Sequence, residues 1–406
     1  MTLTFCTLPP YNAYIMLDES PHLTILTPVV PYPPLSGGTA HIVETVHQLA
    51  RFYRVSLYAL AADPAAVRWG PLAEWCEQTH AYAPTKRSKW GLEPPAVRQE
   101  YSTELIAALR HNWAAQPPDI VQLEFTSMAQ YAPLARKAGA LVVCTAVDLA
   151  FRTQARRARM QPGWARKGRR WLGALSLWQY ELRALRHCDL VLTLSAEDAA
   201  ALRRWLPHLP IAYVPSAIGL QNHPSCFDPR AEDEVLFVGN YLHPPNVEGA
   251  LWLAREVWPL VRQLRPNARL TLAGRAPPPA IQALAAPDIH VPGTVDDLRP
   301  LYARASLVTA PIFWGSGVRI KILEALACGL PLVTTALAAE GIDLRQGESA
   351  LFAERPSEFA AAIAGLLDDA ALRVRLGAAG RALVERDYDA EQIGARLAGL
   401  YASMLQ

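Results

Sequence analysis

The amino-acid sequence predicts an α/β protein built of two Rossmann-like units whose parallel sheets face a central cleft. Three observations carry this expectation. Strand-length apolar runs alternate with helix-period segments from Leu23 to the end of the 406-residue chain. Leu141-Val-Val-Cys-Thr-Ala-Val147 is almost wholly apolar, as expected for a parallel strand buried on both faces. Gly315-Ser-Gly-Val-Arg-Ile-Lys-Ile-Leu-Glu-Ala-Leu-Ala-Cys-Gly-Leu-Pro-Leu-Val-Thr334 reads as a glycine turn, a helix and a strand, and it follows a further buried-strand run from Leu307 to Ile312. A chain of this length holds two or three domains.

Residues 1–22 show no clear period and are expected to form an extension outside the fold. Leu23 to Thr27 opens a first domain expected over residues 23–215. The prolines from Pro28 to Pro34 stiffen the next loop, Gly37 and Gly38 tighten the turn, and a helix follows from Thr39 to Arg51 with Ile42, Val43, Val46 and Leu49 on one face. This is the start of a Rossmann-like unit, although the full G-x-G-x-x-G is absent. Arg54 to Leu60 is a strand. The Pro- and Trp-rich segment 63–95 carries no placeable element. A helix is expected from Arg98 to Trp113, a strand from Ile120 to Glu124, and a helix from Met128 to Ala138. Glu124 and Asp148 end their strands at the carboxyl side, where open α/β sheets bind ligands.

Phe151 to Arg186 holds ten arginines and lysines, Arg152, Arg156 and Arg157 among them, against the single acid Glu181. Trp164, Trp171 and Trp178 recur every seven residues, near one helical stripe. Residues 152–186 therefore suit an anionic membrane surface; the alternative is a solvated helix pair whose tryptophans pack on the core. No recognition motif accompanies the charge, which argues against nucleic acid. Asp189 to Ser195 is a strand, with Ser195 capping the next helix and Asp198 completing a capping box. Ile211 to Pro215 closes the first domain, and the Gly-, Pro- and Asn-rich residues 216–233 read as a linker.

The second domain is expected over residues 234–387. Glu234 to Gly239 is its first strand, Asn246 caps a helix from Val247 to Leu264, and Leu270 to Arg275 and Asp288 to Thr294 are strands with their turns. Asp297 to Ala303 is a short helix before the run Leu307 to Ile312. After Gly315 and Gly317 the helix starts near Val318, and Gly329 and Pro331 end it. Helices broken near Gly377 and Gly380 fill most of the remainder, and residues 388–406 hold a last helix, Glu391 to Met404.

The glycine turn before Val318 offers free N–H groups at the positive end of a helix dipole. Arg319 and Lys321 place two cations in that first turn, against the dipole, and an anionic ligand would relieve the conflict. Glu324, one turn on, can accept from a sugar hydroxyl. The bland alternative is a surface helix whose cations face water.

Bulk numbers exclude several classes. The net charge of +2 gives no general attraction to nucleic acid or membrane. The six cysteines show no CxxC and no metal spacing, as reduced core thiols do, which fits a cytoplasmic compartment. No run approaches a membrane span, and Pro9, Pro10, Asn12 and Asp18 interrupt any signal-like segment. No DxD carboxylate pair stands in a suitable loop, so neither a metal nor a cofactor is expected.

Pro311 to Thr334 resembles the donor-binding segment of retaining glycosyltransferases of the GT-B fold, specifically glycosyltransferase family four. There a loop Glu-Gly-Phe-Gly precedes Glu-Ala-Leu-Ala-x-Gly-x-Pro-Val-Val. Glu324 matches the second Glu, and Ser316 stands in place of the first. The pattern Gly-x-x-x-Lys-x-Leu-Glu-Ala of the exopolysaccharide sugar-transferase branch is closer. The resemblance implies a last helix that crosses back onto the first domain and a nucleotide-diphosphate-sugar donor. It also implies a glycan, lipid-linked or other hydroxyl acceptor and transfer with retention. It places Gly37 and Gly38 beside the donor phosphates, the loop Gly315, Ser316, Gly317 and Val318 on the diphosphate, Glu324 on the ribose, and Gly293 and Val295 along the nucleobase. The family's usual Gly-Arg is Gly239-Asn240 here, so Asn240 is left to donate to phosphate while Arg319 and Lys321 replace the charge. The family's Thr-x-His-Asp is Thr145-Ala-Val-Asp148, so Asp148 is kept as a catalytic candidate and the His position is Val147. An epimerase on the same fold lacks a convincing acid/base set. A catalytically silent relative that binds a sugar nucleotide or a partner protein draws its support from Ser316 and Val147.

Overall fold

The computed structural model describes residues 20–85, 93–160, 163–228, 233–295, 297–315 and 317–406. Nearly all of the expected extension, and Ser316, lie outside the described residues. Among the described residues two parallel sheets form. The first holds β1 (His22–Thr27), β2 (Arg54–Leu60), β3 (Gln78–Tyr82), β4 (Ile120–Glu124), β5 (Leu141–Ala146), β6 (Leu190–Thr193) and β7 (Ile211–Tyr213), in the order β3-β2-β1-β4-β5-β6-β7. The second holds β8 (Glu234–Val238), β9 (Arg269–Ala273), β10 (Ile289–Gly293), β11 (Leu307–Ala310), β12 (Leu332–Thr334) and β13 (Leu351–Phe352), in the order β10-β9-β8-β11-β12-β13. The architecture is the two-sheet GT-B arrangement that the resemblance implies.

The central strands are buried on both faces because helices cover both. β1 pairs Leu23 with Val55 on one side and Ile120 on the other, and every one of its residues is buried. Strand order reverses between β1 and β4 and again between β8 and β11. Those two reversals open the crevices where ligands of such sheets bind.

Several elements differ from expectation for identifiable reasons. β3 was not placed because Gln78-Thr-His-Ala-Tyr82 is an edge strand, only half-buried and therefore polar. The helix expected from Arg98 is two, Pro95–Gln99 and Thr103–Ala115, because Ser102 caps the second by accepting from Leu105 N at 3.2 Å. Met128 to Ala138 begins as a 3₁₀ turn, and its α-helix starts only at Ala132, with Pro133 in the first turn. The helix expected from Val247 starts at Pro244 and widens to a π-turn over Leu253–Val257. Pro259 lacks the N–H that a continuous α-helix would need there. Asn246 is therefore inside the helix and does not cap it. Ser195 does cap its helix, accepting from Asp198 N at 3.1 Å, but the Asp198 carboxylate goes to Arg152 instead of closing a capping box.

The last helix, Ala390–Leu405, packs on the first unit. The chain leaves the second unit where Ile218 N donates to Tyr388 O at 2.8 Å and Ala390 N donates to Ile218 O at 3.1 Å. Gly394 lets this helix close on helix Gly37–Leu49, since a Cβ there would lie 2.6 Å from Gln48 Cβ. Tyr53 Oη donates to Ala398 O at 3.1 Å and Tyr401 Oη to Gln122 Oε1 at 2.7 Å, so the crossing helix is tied into the first sheet. Among the described residues no helix is long and apolar enough to cross a membrane.

Candidate active site

Both strand reversals present their loops to one cleft. After β1, Ser36 caps helix Gly37–Leu49: its hydroxyl accepts from Thr39 N at 3.2 Å, and Thr39 Oγ1 accepts from Ser36 N at 2.9 Å. Gly37 and Gly38 have a packing reason to be glycine. A Cβ on Gly37 would meet Ile320 Cγ1 at 3.2 Å, and one on Gly38 would meet Phe125 Cζ at 2.8 Å. Ile320 opens helix Ile320–Ala327 of the second unit, so the first glycine loop touches the start of the second.

The loop after β11 carries Gly315 at φ 119° and Gly317 at φ 79°, both in the region that favours glycine. Gly317 lies across the cleft from the first unit, where a Cβ would meet Val147 O at 3.5 Å and Asp148 Cβ at 3.6 Å. Arg319 is the extended N-cap and the helix begins at Ile320, two residues later than the expected start at Val318. Its guanidinium donates to Gly317 O, and burial pushes its pKa down to about 10. Lys321 sits below it. Its Nζ donates to Val238 O at 2.9 Å and to Asn246 Oδ1 at 2.7 Å, and lies 4.5 Å over the Phe237 ring. Burial first, then the charge of Arg319, push this ammonium down to about 7, against the pull of Glu324. Two cations crowded at a helix N-terminus leave the site short of negative charge. Glu324 is half-buried and accepts from Tyr302 Oη at 3.2 Å.

Asn240 joins the two loops directly: its Nδ2 donates to Leu35 O at 2.9 Å and its Oδ1 accepts from Leu242 N at 3.1 Å. The amide that was expected to reach phosphate is engaged by the neighbouring unit. Asn246 donates to Asn240 O at 2.8 Å while accepting from Lys321, so it links the β8 turn to the helix cation. Gly293, at φ 80°, ends edge strand β10 and accepts from Gly274 N at 3.1 Å, and Val295 is half-buried just beyond. Asp148 accepts from Thr153 Oγ1 at 3.5 Å. Glu124 does not face the cleft. Gln122 Nε2 donates to its Oε1 at 2.5 Å, Thr145 Oγ1 donates to the same oxygen at 3.2 Å, and Oε2 is 3.9 Å from His41 Nε2. Burial pushes Glu124 up to about 7 and His41 down to about 4, so this interior group is aimed at the core.

The basic stretch divides in two. Helix Trp164–Leu185 exposes Trp164, Trp171, Arg166, Lys167 and Arg169, whereas Trp178 packs against the core and edge-on to Trp205. Helix Ala150–Met160 instead turns Arg152, Arg156 and Arg157 into the cleft and leaves Arg159 exposed. Arg156 Nη1 donates to Gly315 O at 2.8 Å, and its two Nη atoms donate to the two Glu340 oxygens at 2.5 Å each. Arg152 pairs with Asp198 and reaches Glu340 at 3.5 Å, and Arg157 lies 5.1 Å over the Trp314 ring. Glu181, the stretch's one acid, is buried and caps this helix, accepting from Ala150 N at 3.0 Å and Phe151 N at 3.1 Å. Sequence reasoning missed Arg152, Arg156 and Glu340, because a cation in a charge run reads the same whether it faces solvent or a cleft. The one available signal was the absent Gly-Arg cation at Asn240.

Comparison with known proteins fits this geometry. Residues 35–222 match the family described as Glycosyltransferase Family 4, and residues 232–369 match Glycosyl transferases group 1. An uncharacterized 44.6 kDa protein in the cps region of Klebsiella pneumoniae is 25% identical over 201 residues, 47% of this chain and 49% of that protein, so the match spans about half of that relative's length. Sucrose-phosphate synthase from Thermosynechococcus elongatus superposes with a TM-score of 0.72 at 17% identity, covering 94% of this chain and 99% of that one. HepE from Anabaena, in complex with UDP-glucose, superposes with a TM-score of 0.67 at 14% identity, covering the same shares. With both sheets in the GT-B arrangement and the two family matches together spanning about four fifths of its length, the chain belongs to the GT-B glycosyltransferases of the family-four type.

Proposed function

We propose that the chain moves a sugar from a nucleotide-diphosphate sugar to a hydroxyl acceptor, with retention of configuration and without a metal ion. The observation that carries this reading is the loop from Gly315 to Arg319, with Lys321 half-buried beneath it, at the second strand reversal. The hard step is departure of the nucleoside diphosphate from the anomeric carbon, with negative charge growing on the leaving phosphate. Arg319, Lys321 and the N–H groups at the helix start supply fixed positive charge there. For retention the acceptor attacks from the face the phosphate leaves, and that phosphate takes the acceptor's proton, so the chemistry proceeds without a His at Val147. Asp148, beside Gly317, orients the sugar or the acceptor, and Glu324 holds the ribose. Gly293 and Val295 line the base through their backbone. The UDP-glucose bound to the Anabaena neighbour supports a nucleotide-sugar donor. The test is proton NMR of the purified chain with a set of nucleotide sugars and a hydroxyl acceptor. Nucleoside diphosphate release with an unchanged anomeric configuration is expected. An inverted product, an epimer, or no turnover of any donor overturns the reading.

Lys321 gives this reading a pH signature. In the folded chain its ammonium is pushed down to about 7, whereas an unfolded lysine holds its proton to about 10.4. Between those values the unfolded chain binds more protons, so this group's contribution to stability rises with pH. A diphosphate beside the ammonium restores its proton. Binding of UDP, GDP or ADP at pH 7.5 is therefore expected to take up a proton, seen in calorimetry as a heat that changes between buffers of different ionisation enthalpy. A buffer-independent heat contradicts a diphosphate beside Lys321.

The acceptor is proposed to be a lipid-linked glycan at an anionic membrane surface, on the cytoplasmic side. Helix Trp164–Leu185 supports this, with Trp164 89% and Leu172 69% exposed next to Arg166, Lys167 and Arg169. The chain is expected to sediment with vesicles containing phosphatidylglycerol and not with neutral ones. Trp164→Ser together with Leu172→Ser is expected to release it, and equal sedimentation of wild type and variant contradicts the docking face.

A further inference from the structure

We propose that Arg156 is a phosphate ligand contributed by the first domain, held by Glu340 and exchanged onto the diphosphate when the donor binds. This rests on the nucleotide-sugar reading and adds a residue and a displacement to it.

Four features support the exchange. The Arg156 guanidinium meets Glu340 through both Nη atoms at 2.5 Å. That fork geometry fits two oxygens of a phosphate as well as those of a carboxylate. The same Nη1 donates to Gly315 O at 2.8 Å, so the fork already rests on the loop that precedes the helix N-terminus. Arg152, Arg156, Glu340 and Gly317 also line one small cavity, together with Ser195 and Asp198. Two cations and two carboxylates thus surround open space beside the loop, with Asp198 paired to Arg152 and Glu340 to Arg156.

Charge balance makes the exchange feasible. Removing one partner from an enclosed ion pair leaves a costly unpaired charge. Glu340 avoids this because Arg152 Nη2 stands 3.5 Å from its Oε1, and Arg152 is itself anchored by Asp198. When Arg156 turns to a phosphate, Glu340 keeps Arg152. The carboxylate therefore serves as an internal anion that holds Arg156 in place until a ligand competes for it. Arg156 also supplies, from the opposite domain, the positive charge that Asn240 does not provide after β8. Because Arg156 and Glu340 sit on different domains, the exchange converts a direct cross-cleft ion pair into one bridged by the donor.

Calorimetric titration of the full chain with UDP, GDP, ADP, dTDP and inorganic pyrophosphate tests this. Arg156→Ala is expected to weaken the diphosphates by about ten- to a hundredfold, the range of a charge-assisted hydrogen bond, with affinity for the parent nucleoside unchanged. Arg156→Lys, which keeps the charge and loses the fork, is expected to fall between. Glu340→Gln removes the competitor and is expected to tighten diphosphate binding several-fold. Melting curves without ligand confirm that each variant is folded. Arg156→Ala binding within twofold of wild type, or Glu340→Gln binding more weakly than wild type, overturns the exchange. Wild type that binds pyrophosphate but no nucleotide removes the sugar-nucleotide reading; Arg156→Ala that then weakens pyrophosphate supports the anion exchange, and Arg156→Ala that leaves it unchanged overturns it. Wild type that binds neither overturns both.

Discussion

Lys321→Met lowers turnover of the nucleotide sugar by about two to three orders of magnitude, the usual loss when one preorganised stabiliser of developing charge is removed. The side chain reaches its position only because Val238 O and Asn246 Oδ1 accept from it and the Phe237 ring lies beneath. Methionine fills similar space and carries no charge. It also leaves two acceptors without their donor, at about 1–3 kcal/mol each where water is excluded, so turnover is measured well below the variant's own melting temperature. Arg319→Ala is expected to show a comparable loss, because its guanidinium stands at the same helix start. Near-normal turnover in both variants would refute the assignment of the diphosphate to this loop.

Gly274→Ala produces the largest loss of stability, above about 4 kcal/mol, the range reached only by a severe clash or an unmet buried group. Gly274 follows β9 at φ 148°, and a Cβ there would lie 1.7 Å from Gly239 O and 2.7 Å from Gly239 C. Both atoms belong to backbone, so no side chain can swing away. Gly239 precedes Asn240, and the strain would pass into the turn that meets Leu35 of the opposite domain. A melting temperature lower by about 10 °C or more is expected, on the scale of 2–4 °C per kcal/mol for a domain of this size. A variant that melts within 2 °C of wild type, on that same scale, would show that the two turns separate freely.

Legibility in the sequence followed how each residue is buried. Leu141 to Val147 announced a parallel strand because both faces of β5 are covered, which leaves no polar alternation to confuse the reading. Gln78 to Tyr82 is also a strand, but at the sheet edge its side chains meet water, and its pattern resembles a loop. Leu351 and Phe352 make too short a strand to carry any period. The glycine loop was readable because Gly315 and Gly317 answer a local backbone demand, φ 119° and 79°. Asn246 misled because a cap and a lysine partner look alike in one dimension, and only the fold brings residue 246 to residue 321. Arg156 and Glu340 are 184 positions apart, and no local pattern joins them. The site's electrostatics were thus legible where one element supplies them and hidden where two domains meet.

The central claim is that the cleft holds a nucleoside diphosphate on the loop from Gly315 to Lys321. Thermal unfolding of the wild-type chain against UDP, GDP, ADP and dTDP and their sugar conjugates, with and without magnesium, tests it most directly. A ligand at about a hundred times its Kd stabilises the fold by about 2.7 kcal/mol. The account predicts a clear rise in melting temperature with one nucleotide family, unchanged when magnesium is withheld. No rise with any nucleotide, or a rise that appears only with magnesium, would contradict it.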